Sequence, residues 1–116
     1  MKKIKNISFD IDGIICKTKN SDYKNSKPIV KNIKFINSLY DSGYVINIYT
    51  ARFMGRSDNN VHLAKKKGYK FTIKQLKKWN LKFSRLFFGK PSSDFYIDDK
   101  DINFDINWIR VLKKKL

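Results

Sequence analysis

The apolar positions follow two rhythms. Ile4, Ile7 and Phe9 recur at strand-like spacing and predict a strand over 3–9. It runs directly into Asp10-Ile11-Asp12-Gly13, where glycine permits a sharp turn. Residues 16–28 are polar and read as a loop ending at Pro28. Ile29, Ile33, Ile36 and Tyr40 then fall at helical spacing, predicting a helix over 29–42 with Pro28 at its start and Gly43 as its stop. Tyr44-Val45-Ile46-Asn47-Ile48-Tyr49 is β-branched and aromatic and predicts a second strand, followed by Thr50-Ala51-Arg52 and a loop over 53–60. A short helix over 61–67 is expected to close at Gly68, and a further helix over 73–79 to be capped by Thr72, with Ile73, Leu76 and Trp79 on one face. Leu86-Phe87-Phe88 predicts a third strand and Phe95-Tyr96-Ile97 a fourth, and the tail from Asn107 reads as a helix.

Strands alternating with helices imply an α/β fold: one Rossmann-like domain over 1–116, its mainly parallel sheet flanked by helices. Ligands of such sheets bind beyond the carboxyl ends of the strands. Each predicted strand here ends in chemistry: Asp10/Asp12, Thr50/Arg52, Lys90 and Asp98/Asp99.

Composition alters this picture in one respect. The chain carries 26 Lys+Arg against 10 Asp+Glu, a net charge of +16. That balance invites a polyanionic partner. Yet 22 of the 26 are Lys, and Lys, Asn and Ile together make up 48 of the 116 residues, a mixture that AT-rich codons produce without selection for a basic surface. All ten acidic residues are Asp, four of them in the pairs Asp10/Asp12 and Asp98/Asp99. Against so basic a background the pairs stand out. No run approaches the length of a membrane span, and the basic N-terminus lacks the long apolar stretch of a secretory signal. A single cysteine, Cys16, excludes an internal disulfide framework. A cytoplasmic protein with no membrane partner is the expectation.

Clustered carboxylates repel one another and call for a cation. Oxygen ligands without a His/Cys cluster suit a hard ion, Mg²⁺. Thr50 and Lys90 supply the donor and the charge that a phosphoryl group needs. In this reading Asp10 attacks phosphorus, and Asp12 protonates the leaving oxygen and then deprotonates the hydrolytic water.

These residues carry a resemblance. Phe9-Asp10-Ile11-Asp12-Gly13-Ile14, Tyr49-Thr50-Ala51-Arg52, Phe88-Gly89-Lys90-Pro91 and Tyr96-Ile97-Asp98-Asp99-Lys100 resemble, in order, the four motifs of the haloacid dehalogenase (HAD) superfamily. The wording is most similar to small capless members of capsule and polysaccharide biosynthesis, in which a Gln-Leu-x-x-Trp helix follows, as Gln75-Leu76-Lys77-Lys78-Trp79 does here. The resemblance covers roughly residues 4–105. It implies a HAD-like fold without a cap domain, with Asp10 as nucleophile and Asp12 as acid/base. It further implies Thr50 and Lys90 on the phosphoryl group, and Ala51 and Arg52 beside Thr50 are expected as further substrate contacts. Mg²⁺ would be held by the Asp10 carboxylate, the Asp12 carbonyl and the Asp98/Asp99 pair. Ile14 departs from the usual Thr, and residues 53–70, with Arg56, Asn59, Asn60 and His62, carry fewer acidic residues than is common in the capsule group, which bears on substrate rather than chemistry.

The expected substrate is therefore a small phosphorylated metabolite, such as a sugar phosphate of polysaccharide synthesis. Two alternatives stand beside it: a phosphatase of nucleic-acid ends, and a non-catalytic anion-binding module with a vestigial site. Scarce Arg and the lack of an aromatic–basic stripe disfavour a nucleic-acid partner. Arg52 would make a planar bidentate contact to a phosphate or a carboxylate, or a structural ion pair with Asp98 or Asp99. His62 is expected at the surface or in the core, Cys16 as a small buried hydrophobe, and Trp79, Phe87 and Trp108 in the core. Lys65–Lys67 and Lys113–Lys115 are expected to be solvated faces.

Overall fold

The β-branched and aromatic runs pair side by side into one sheet. The computed structural model describes residues 5–89, 94–97 and 107–116. Its elements are β1 (Asn6–Asp10), β2 (Cys16–Lys17), β3 (Lys27–Pro28), α1 (Val30–Asp41), β4 (Val45–Thr50), α2 (Val61–Lys78), β5 (Arg85–Phe88), β6 (Phe95–Ile97) and α3 (Trp108–Lys115), with 3₁₀ turns at Tyr23–Asn25 and Gly55–Ser57. Among the described residues the main sheet has four strands in the order β5-β4-β1-β6, and every pairing among them is parallel. Ile7, Ser8 and Phe9 are consecutive and fully buried, so both faces of β1 are covered. The chain proceeds from β1 to β4 and β5 on one side, then adds β6 on the other. The change of direction falls at β1, and Ile97 at the end of β6 stands in register with Phe9. Asp94 fastens this junction. Its carboxylate accepts from the Lys5 and Asn6 amides at 3.0 and 2.9 Å, and those bonds hold its carboxyl below the ordinary value.

Trp108 ties the layers together, its ring 5.7 Å from Phe9 on β1 and 5.9 Å from Phe35 on α1. The α1 stripe is Ile33, Ile36 and Leu39. Tyr40, expected on that stripe, is 40% exposed. Tyr40 lies in the last turn of α1, one residue before the helix ends at Asp41.

Two further expectations are corrected. Residues 16–28 are not an open loop: Cys16 pairs with Pro28 and Lys17 with Lys27 in a short antiparallel hairpin. Nor are there two helices over 61–79. A single α2 runs through both Gly68 and Thr72. The reason is a contact distant in sequence. Phe53 sits at φ +67°, a left-handed conformation that costs a bulky residue about 1–3 kcal/mol. Its ring lies against Gly68, where a Cβ would collide with Cδ2 and Cε2 of Phe53. The glycine is a notch within a helix, not its end. In an exposed helix, Gly→Ala gains about 1 kcal/mol. Here Gly68→Ala is expected to lose about 1–3 kcal/mol through overpacking, read as a lower midpoint in urea unfolding.

Candidate active site

The turn after β1 is built on one carbonyl. The oxygen of Ile11 accepts from the amides of Ile14, Ile15 and Cys16, and Gly13 takes φ +99°. This fold-back brings Asp12 to the same edge as Asp10. Asp10 Oδ1 caps the Ile11 amide at 2.9 Å. Thr50, at the end of the adjacent β4, is buried, and its Oγ1 accepts from the Arg52 amide at 2.9 Å, so its own proton can be donated. Gly89, just past β5, takes φ +110°, and its amide reaches the Thr50 carbonyl at 3.3 Å. Asp10, Asp12, Thr50, Ala51, Arg52 and Gly89 line one cavity of about 700 Å³. A second cavity of about 680 Å³ shares Gly13 and Lys17 with it and opens against α3. None of the described residues lining the second carries a carboxylate, so the first is the chemical candidate. Lys90, Asp98 and Asp99 lie outside the described residues. Among the described residues no cluster of three His, Cys, Asp or Glu forms.

Arg52 makes a bidentate carboxylate contact, and its partner is Asp12 of the same site. Its side chain is fully buried, and its described ion-pair partner is Asp12, whose side chain is 28% exposed. The fork grips both carboxylate oxygens: Nε meets Oδ2 at 3.0 Å and Nη2 meets Oδ1 at 2.9 Å. The remaining terminal nitrogen donates to Gln75 Oε1 at 2.6 Å. The Tyr23 ring covers the guanidinium, its centroid 4.7 Å away. The arginine thus backs Asp12 through a bidentate, charge-assisted contact. Thr18 on the hairpin also donates to Asp12 Oδ1, and its hydroxyl lies 2.6 Å from that of Ser26. Among the described donors, Oδ2 of Asp12 takes only Arg52 Nε. A carboxylate offers about four lone-pair sites, so Oδ2 is the oxygen with room for a transferring proton.

Thr18, Tyr23, Ser26 and Gln75 join the site without having been singled out for it. Gln75 carries one signal in the sequence, the Gln75-Leu76-Lys77-Lys78-Trp79 match, which assigns it no role at the site. Cys16 is buried as expected. Burial pushes its thiol up to about 11, the Thr18 hydroxyl opposing and the Asp12 charge reinforcing the shift. At about pH 8 roughly one such thiol in a thousand is ionised, so native Cys16 is expected to alkylate about 100-fold more slowly than in urea. Iodoacetamide labelling followed by mass spectrometry reads the ratio. His62 and Lys65–Lys67 are exposed, Trp108 is buried, and Trp79 packs against the core.

No family model matches the chain, and no curated protein matches it. A crystal structure of a structural-genomics target from Vibrio cholerae is similar, with a TM-score of 0.71 and 26% identity over 97% of this chain and 98% of that one. The likeness supports the α/β architecture. Among the described residues, no helix is long and apolar enough to cross a membrane.

Proposed function

We propose that this chain is a divalent-cation-dependent phosphomonoester hydrolase that works through an aspartyl-phosphate on Asp10. The observation that carries the reading is the meeting of Asp10, Asp12 and Thr50 in one cavity beyond the carboxyl ends of parallel strands. Two carboxylates beside a hydroxyl donor suit the transfer of a phosphoryl group to a carboxylate and its release to water.

Asp10 attacks phosphorus as the ester P–O bond breaks. Asp12 gives a proton to the departing oxygen from Oδ2, then takes one from the water that cleaves the acyl phosphate. Thr50 donates to a phosphoryl oxygen, and Lys90, which directly follows Gly89, adds positive charge. The Asp10 carboxylate and the Asp12 carbonyl are oxygen donors that fit Mg²⁺, with Asp98 and Asp99 completing the set. When bound, that ion shields the approach of one anion to another. Arg52, already engaged by Asp12 and Gln75, serves the acid/base instead of the phosphate.

The substrate class is a small phosphorylated metabolite, with sugar phosphates first in order. The test is a panel of phosphomonoesters with Mg²⁺ and with chelator. Phosphate release that requires Mg²⁺ and favours small metabolites is the expected result. A wide preference for DNA or RNA 5′ or 3′ phosphates would replace the substrate class. Inertness across the panel would support the vestigial, anion-binding alternative.

A further inference from the structure

Gln75 lies on α2, 23 residues from Arg52 and 52 from Tyr23, and is almost fully buried at 9% exposure. Its two amide atoms face opposite demands. Oε1 accepts from the Arg52 terminal nitrogen that Asp12 does not use, at 2.6 Å. Nε2 donates to the Tyr23 carbonyl of the hairpin, also at 2.6 Å. Rotating the amide by half a turn would set NH₂ against the guanidinium and oxygen against a carbonyl, so both partners fix one orientation. A buried guanidinium donor without an acceptor carries the full cost of desolvation, and without Gln75 the fork would turn toward another acceptor. Tyr23 closes the arrangement, since its carbonyl holds Gln75 while its ring lies on the Arg52 guanidinium.

We infer that Gln75 is a positioning residue for the acid–base step: its amide holds the Arg52 fork square to Asp12 and ties the 16–28 hairpin to that same arginine. This inference rests on the proposed phosphatase chemistry. It has a signature that a purely structural residue lacks. A poor leaving group needs a proton from Asp12 as the ester bond breaks, and a nitrophenolate does not. Loosening Asp12 therefore slows alkyl phosphates far more than nitrophenyl phosphate.

The experiment compares kcat/KM for an alkyl phosphate and for nitrophenyl phosphate, with Mg²⁺, in the wild type, Gln75→Met and Gln75→Asn. Gln75→Met removes both polar atoms. Gln75→Asn keeps an amide but falls one methylene short of both partners, which protects the fold while breaking the geometry. Both variants are expected to lose about tenfold or more on the alkyl ester and less than about threefold on the nitrophenyl ester. Folded variants that lose both esters equally, or neither, overturn the assignment while leaving the phosphatase reading intact. Loss of the fold in both variants assigns Gln75 to stability and also overturns it. A wild type inert toward both esters overturns the phosphatase reading, and this inference with it.

Discussion

Asp10→Asn is expected to abolish Mg²⁺-dependent phosphate release, lowering kcat on the order of 10³-fold or more. The substitution keeps the shape of the side chain. Asparagine oxygen can still cap the Ile11 amide, the bond that Asp10 Oδ1 makes at 2.9 Å, so the turn into Asp12 is preserved. What disappears is the anionic oxygen that attacks phosphorus and one charged donor to the metal. The melting temperature should therefore change little while turnover vanishes. Far-UV circular dichroism together with a phosphate-release assay separates these readouts. Residual activity within about tenfold of wild type would move the nucleophile elsewhere.

Arg52→Met is expected to give the largest combined loss of stability and activity. Arg52 is the described ion-pair partner of Asp12, the donor to Gln75 Oε1 and the cation under the Tyr23 ring. Removing it leaves a largely covered carboxylate and a buried amide oxygen without those donors. Breaking one side of a fully buried pair costs about 3–5 kcal/mol. Asp12 retains 28% exposure, which lets water replace part of the lost interaction, so about 2–4 kcal/mol is expected. For a domain of this size that lowers the melting temperature by about 10 °C. Turnover should fall about 100-fold as Asp12 loses its orientation. Arg52→Lys restores the charge but not the fork, since one ammonium cannot reproduce the planar grip on Asp12 together with the Gln75 contact. It should recover stability more than turnover. A methionine variant that melts with the wild type would show that the pair contributes nothing to the fold.

Much of this architecture was legible because it is periodic. The strands at Ile7–Phe9, Val45–Thr50 and Leu86–Phe88 are short runs dominated by apolar, aromatic or β-branched residues, and α1 repeats its isoleucines at helical spacing. What periodicity could not show was set by contacts between distant residues. Gly68 resembles a helix stop until the Phe53 ring is seen to occupy the space its side chain would take. The 16–28 hairpin has no apolar alternation and depends on two residue pairs plus the Thr18–Ser26 hydroxyl contact. At the site, the gathering of Asp10, Asp12 and Thr50 followed from strand ends, because parallel sheets deliver those ends to one edge. The sequence shows the chemistry of Arg52 but not its partner. Asp12 lies 40 residues away and Gln75 lies 23, and side-chain type alone does not choose between Asp12 and the other aspartates.

The most direct test of the central claim is chemical trapping of Asp10 during turnover. Borohydride reduces an aspartyl-phosphate to homoserine, and peptide mass spectrometry locates the converted residue. Wild-type protein quenched with borohydride while hydrolysing a phosphomonoester in Mg²⁺ is expected to carry homoserine at position 10, absent without substrate and absent from Asp10→Asn. Active enzyme with Asp10 unmodified, or with homoserine at another aspartate, would contradict the account.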